Sequence, residues 1–283
     1  MRAYLPNYQL DSVTTLNEAL SIVEAGGRPL AGGTDLMVLF EAGLLPAGTY
    51  VDISRIKELQ GIHISKTQCT LGALVTYSQI KEHPVLKKQF PILCDSAKGV
   101  GAVAIQNRGT IGGNIANASP AADFPPGLLV YDAKINLISK RGSRTIDYGQ
   151  FHLGYKKSEM QKDELIHSIT IEPKFKGYFH FWRKVGSRKA QAISKTMIAG
   201  VAKTHSGKIE DIRIALGSVA PTAVRATQVE TFLKGKSINS ESIQMAKQLL
   251  KNDISPIDDI RSTGTYRRVV SQNILEEFLC GIG

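Results

Sequence analysis

The chain has 283 residues, 42% hydrophobic and 21% charged, which excludes a disordered or fibrous protein and suffices for two or three compact units. Lys and Arg exceed Asp and Glu to leave a formal charge of +10, which suits nucleic acid, acidic lipid, an acidic protein or a phosphorylated ligand without choosing among them. No apolar run nears the roughly 20 residues that span a bilayer, and the start at Met1-Arg-Ala-Tyr-Leu-Pro-Asn7 lacks a signal-peptide core, so a cytoplasmic protein without membrane attachment is expected.

Leu16, Ala19, Leu20 and Val23 recur at helical spacing and predict a helix over 12–23, capped at Asp11 or Ser12 and stopped by Gly26-Gly27. A short strand over 29–31 enters a glycine turn, and a helix is expected over 36–41. Strands follow over 50–53, 63–65 and 69–73, then helical turns over 76–98 interrupted at Pro84 and Pro91, then strands over 134–139, 144–146 and 165–171. Pro173, Lys174 and Gly177 mark a boundary. It divides a first domain, 1–174, with subdomains of about 1–56 and 57–174, from a C-terminal domain, 175–283. In the latter, strands over 178–184, 196–203 and 208–217 precede helices over 223–233, 240–251 and 263–279, an order that argues for an α+β unit with a three-stranded antiparallel sheet.

Two glycine segments about eighty residues apart carry the functional signal: Leu30-Ala-Gly-Gly-Thr-Asp-Leu36 and Gly109-Thr-Ile-Gly-Gly-Asn-Ile-Ala-Asn-Ala-Ser-Pro120. Gly32, Gly33, Gly112 and Gly113 let the main chain approach an anion. Thr34, Thr110, Asn114 and Ser119 add side-chain partners to the exposed amides, so the pair reads as a pyrophosphate cradle. Taken singly, the first is also a strand-to-helix turn with Asp35 as a cap, and the second a glycine-rich bend anchored by Ile111 and Ile115. Gly99-Val-Gly-Ala-Val-Ala104 has the letters of a dinucleotide fingerprint, but it follows a helical stretch instead of a strand and reads as a tight turn. Cys69, Cys94 and Cys280 stand singly and are expected as buried thiols; the six histidines show no metal-ligand spacing, so no metal is expected.

The two segments and their spacing resemble the flavin-binding subunits of the xanthine dehydrogenase family of molybdenum hydroxylases. The resemblance continues through Ser119-Pro-Ala-Ala-Asp123, Lys184-Val-Gly-Ser-Arg-Lys189, Leu216-Gly-Ser-Val-Ala-Pro-Thr222, Asp258-Asp-Ile-Arg261 and Tyr266-Arg267. It implies an α+β, vanillyl-alcohol-oxidase-like (PCMH-type) FAD-binding domain of two α/β subdomains, followed by a small C-terminal α+β domain. It also implies that FAD is held without a covalent bond. Leu30 and Ala31 to Leu36 would wrap the pyrophosphate with Arg28 at its entrance, and Thr110, Gly112, Gly113, Asn114 and Ser119 would form the second wall, with Thr110 and Asn114 reaching phosphates or the ribityl chain. Asp123 would accept from a ribityl hydroxyl or position the loop, although it also suits a cap for a helix starting near Phe124-Pro125. Val100 and Ile166 would cover the two ring faces, and Lys184 would place a cation beside N1 and the C2 carbonyl, where a surface charge is the other reading.

The same resemblance implies a relay subunit, placed between 2Fe-2S clusters on a small subunit and a terminal acceptor such as NAD, with molybdopterin on a large subunit. The chain has no cysteine set for an iron–sulfur loop of its own. The alternative within enzymes is a self-contained flavin reductase on the same fold, like the reductase that makes UDP-N-acetylmuramate, and the alternative from another class is a basic nucleic-acid-binding protein. The latter is disfavoured by scattered basic residues and aromatics that form no stacking pattern, so no nucleic-acid partner is expected.

Overall fold

A computed structural model describes residues 7–282. The reading of the start of the chain, from Met1 to Pro6, lies outside the described residues. The first sheet is parallel: Gly48–Asp52 is its centre, flanked by Tyr8–Ser12 and Arg28–Leu30. The crossover between the flanking strands is the helix Leu16–Glu24, which buries Ala19, Leu20 and Val23. Its cap is Thr15 and not Asp11 or Ser12. Thr15 accepts from the Glu18 amide while the Glu18 carboxylate accepts from the Thr15 amide, a reciprocal box that satisfies two otherwise free donors. Ser12 belongs instead to the strand Tyr8–Ser12, whose partner lies forty residues away in sequence.

The second sheet has five antiparallel strands in the spatial order Ile62–Ile64, Cys69–Gly72, Leu165–Ile171, Lys134–Ser139 and Gly142–Asp147. Between its second and third strands in the chain lies a helical layer. Pro84 and Pro91 each occupy the first turn of a new helix, Pro84–Gln89 and Pro91–Gly99, where the missing N–H costs nothing and the fixed φ favours helix. The prolines therefore start helices as well as ending them. A core of aliphatic and aromatic side chains, including Leu71, Leu93, Phe124, Tyr131, Leu137 and Phe151, joins this layer to the sheet.

The C-terminal sheet contains the three expected strands, Phe179–Val185, Thr196–His205 and Lys208–Gly217, and adds a fourth of two residues, Val224–Arg225. That strand takes the start of the helix expected over 223–233, which begins at Thr227 instead. Antiparallel pairing with Ala215 and Leu216 holds the backbone extended there, and the Arg225 guanidinium reaches Glu230 at 2.7 Å and Asp132 at 3.3 Å. Helices Ser240–Asp253 and Gly264–Cys280 cover the sheet's other elements, with Phe278 against Gly200. Cys69 and Cys94 are buried, and burial pushes their thiols up to about 12 and about 11. Cys280 departs from expectation: it is exposed near the end of the last helix. Among the described residues no helix is long and apolar enough to cross a membrane.

Candidate functional site

The strand Arg28–Leu30 ends at the first glycine segment, where Gly33 has φ +72°, a conformation that L side chains rarely adopt. Gly32 is required for another reason. A Cβ there would lie 1.9 Å from the carbonyl oxygen of Arg108, so the first segment touches the approach to the second. Two hydrogen bonds tie them: Arg108 Nε donates to the Gly32 carbonyl at 3.3 Å, and Asn117 Nδ2 to Asp35 Oδ1 at 3.1 Å. Asp35 makes no cap with its own helix, Leu36–Glu41, and serves this tie instead.

The second segment is a helix, not an open loop. Thr110 caps Ile111–Asn117 by accepting from the Gly113 amide at 3.1 Å, and Thr110 bridges Thr76, the cap of the helix Tyr77–Glu82. The Gly112 amide donates to the Ala73 carbonyl at 2.9 Å, and a Cβ on Gly112 would stand 2.7 Å from that of Ala73. Gly112 is thus a packing glycine that lets the helix lie on the Cys69–Gly72 strand end, and neither it nor Gly113 has the positive φ of a turn.

The segments enclose a cavity of about 510 Å³, a size usual for a small-molecule site. Of the residues singled out in the sequence, its wall contains Ala31, Gly32, Gly33, Thr34, Asp35, Leu36, Val100, Thr110, Gly112, Gly113, Asn114 and Ile166. Arg28, Leu30, Ser119, Asp123 and Lys184 are not in that wall. Arg28 is exposed and donates to Tyr50 Oη at 3.4 Å, and Ser119 Oγ closes a local turn by accepting from the Ala121 amide. Sequence reasoning missed Tyr77, Ile105 and Met160, which also line the cavity. The Thr76–Gln79 capping box was a readable signal for Tyr77; Met160 had none.

Val100 sits on a turn clamped at four successive carbonyls. The Gln106 side-chain amide donates to Lys98 and Val100, Lys184 Nζ donates to Gly99 at 2.8 Å, and the Gln191 amide donates to Gly101. The Trp182 ring fills the space a Gly99 side chain would need. A helix, Pro91–Gly99, precedes this turn, so the dinucleotide-fingerprint letters lack the strand they require.

Behind the cavity Lys184 Nζ meets Asp123 Oδ2 at 2.6 Å, with only 11% and 9% of the two side chains exposed. Asp123 does not cap the helix Pro125–Val130. Burial raises the Asp123 carboxyl to about 6 against the opposing pull of the Lys184 ammonium. Its other oxygen, Oδ1, has no partner among the described residues, nor do the buried Asn114 Oδ1 and Tyr77 Oη. Backbone approach at Gly32 and Gly33, apolar walls at Val100 and Ile166, and the unpaired atoms of the lining residues Asn114 and Tyr77 fit a large cofactor with both apolar and hydrogen-bonding parts.

Residues 6–174 match the model of the FAD binding domain in molybdopterin dehydrogenase, and residues 182–281 match the CO dehydrogenase flavoprotein C-terminal domain. The chain belongs to the FAD-binding subunits of the molybdenum hydroxylase family. It is 32% identical to the glyceraldehyde dehydrogenase medium chain of Sulfolobus acidocaldarius, over 94% of this chain and 95% of that one. To a putative xanthine dehydrogenase FAD-binding subunit of Escherichia coli it is 28% identical, covering 95% of each. Carbon monoxide dehydrogenase of Hydrogenophaga pseudoflava, in a structure that lacks the Mo-pyranopterin moiety, superposes with a TM-score of 0.94 at 26% identity, over 99% of this chain and 98% of that one. FAD is therefore the cofactor that the family assigns to this fold, and the cavity's features suit it.

Proposed function

We propose that this chain is the electron-transfer subunit of a cytoplasmic molybdenum hydroxylase complex. It takes electrons from 2Fe-2S clusters on a small subunit, after a molybdopterin-bearing large subunit has oxidised the substrate, and passes them to a terminal acceptor such as NAD. The observation that carries this reading is the single cavity assembled from both glycine segments, within a domain that matches the family over residues 6–174. Its relatives, a dehydrogenase medium chain and an FAD-binding subunit, support a partnered chain.

Bound FAD supplies the redox chemistry, since a flavin can exchange electrons singly with a cluster and as a pair with a two-electron acceptor. The protein's part is orientation and electrostatics. Residues 31–36 and the helix start at Thr110 to Asn114 would hold the pyrophosphate and the adjoining chain, with Arg28, Leu30 and Ser119 supporting the strand and turn behind them. Val100 and Ile166 would exclude water from the ring faces. The Lys184–Asp123 pair would fix the C-terminal sheet against the Gly99 turn and set the local charge near the ring.

Purification of the chain from its native source tests this. A molybdenum protein and a two-cluster iron–sulfur protein should accompany it, and its flavin should be reduced through the iron–sulfur protein but not by the hydroxylation substrate alone. Direct reduction of the isolated chain by that substrate refutes the relay.

A further inference from the structure

Four tyrosines among the described residues belong to the buried core, and three of their hydroxyls have partners. Tyr50 Oη donates to the Pro46 carbonyl at 2.7 Å, Tyr131 Oη bonds His180 Nδ1 at 3.0 Å, and Tyr148 Oη lies 3.4 Å from His152 Nδ1. Tyr77 is the exception. It is 2% exposed, it lines the cavity, and its buried hydroxyl has no protein partner. A phenylalanine would give the same packing without stranding a polar group, and an unpaired buried hydroxyl costs about 1–3 kcal/mol.

The ring cannot swing away to find water. Tyr77 opens the helix Tyr77–Glu82, its amide donates to the Gly109 carbonyl at 3.3 Å, and the preceding cap Thr76 is bridged to Thr110. The Phe124 ring packs on it at 5.7 Å between centroids, and Gly109 lies so close that a Cβ there would come within 3.1 Å of the Tyr77 ring. Burial, with the negative charge of Asp123 adding to it, pushes the phenol well above its ordinary range, so the oxygen keeps its proton and remains a donor. A fixed donor without a protein acceptor among the described residues, on a residue that lines a ligand cavity, is complementary to an acceptor on the ligand.

We propose that Tyr77 is a further cofactor-positioning residue, whose hydroxyl donates a hydrogen bond to an acceptor atom of the FAD bound in this cavity. The inference rests on the cavity being the FAD site. It carries a sign that a packing role does not share. Tyr77→Phe keeps the ring and removes only the stranded hydroxyl, so the flavin-free chain should be no less stable while FAD binds about tenfold more weakly.

The test is FAD titration of the full chain, wild type and Tyr77→Phe, after flavin removal, with the melting temperature of each flavin-free protein measured alongside. A roughly tenfold higher Kd with an equal or higher melting temperature is the expected result. Equal Kd values overturn the role of Tyr77 while leaving the FAD site standing. A lower melting temperature of the flavin-free variant, whatever its Kd, identifies a packing residue and also overturns it. A wild-type chain that takes up no FAD removes the cofactor reading itself, and the inference with it.

Discussion

Replacing Lys184 with methionine keeps most of the apolar stem and deletes the ammonium, which isolates the charge of a buried pair. Asp123 has its carboxyl raised to about 6 in the fold from an ordinary 3.8, chiefly by burial, with Lys184 opposing the rise. A carboxyl raised on folding contributes stability that is fully present below 3.8 and is lost as pH climbs through about 6. In the wild type that loss stops near pH 6, because Asp123 then ionises beside Lys184. Without Lys184, ionisation is pushed further up, and the loss continues at about 1.4 kcal/mol per pH unit. Lys184→Met should therefore be destabilised increasingly above pH 6, by up to about 1.4 kcal/mol at pH 7 and up to about 3 kcal/mol at pH 8, relative to its deficit at pH 5. Breaking a buried pair costs about 3–5 kcal/mol, which sets the ceiling. The lost hydrogen bond to the Gly99 carbonyl adds a pH-independent deficit of about 1 kcal/mol. Urea unfolding at pH 5, 7 and 8, followed by the fluorescence of Trp182, the single tryptophan and a neighbour on the same strand, measures all three values. Adding Asp123→Asn should erase the pH-dependent part. A deficit that is flat with pH, or one that the second substitution leaves intact, refutes the electrostatic account.

Asp123→Asn alone leaves the Lys184 charge without its counter-ion, and if the pair adjoins the flavin ring the midpoint potential should rise by about 30 mV, the equivalent of 1.4 kcal/mol for two electrons; an unchanged potential would confine the pair to a structural tie. Denaturing the purified protein should release about one intact FAD per chain, and flavin that stays on the polypeptide would contradict non-covalent binding. Gly33→Val, at φ +72°, should lower flavin occupancy several-fold, whereas Gly154→Val, where no neighbour lies within 4 Å and φ is not positive, should not; equal occupancy would mean that the first segment does not face the cofactor. Thr15→Ala removes one half of a capping box and should cost about 1 kcal/mol in chemical denaturation, without altering flavin content.

Local chemistry was legible in the sequence. The helix Leu36–Glu41 and the strands Lys134–Ser139 and Leu165–Ile171 fall where periodicity and turn residues put them, because their signals are short-range. The two glycine segments could be paired as one cradle from their composition, and the family resemblance supplied a fold that the comparisons bear out. What adjacency alone controls was not legible. The strand Tyr8–Ser12 exists because Gly48–Asp52 offers it a parallel partner, and Val224–Arg225 is extended because Ala215 and Leu216 offer it an antiparallel one. Gly112 is glycine because a helix lies against Ala73, and Gly32 because Arg108 crosses it, reasons that no window of neighbouring residues contains. Asp123 and Lys184, sixty-one positions apart, become one buried ion pair only after the C-terminal sheet has packed on the turn before the helix Pro125–Val130, and the missing partner of Tyr77 becomes visible only once the other buried tyrosines among the described residues have found theirs. Propensity and capping act within a few residues of chain, whereas close approach, ion pairing and an unpaired polar atom are properties of the space between elements.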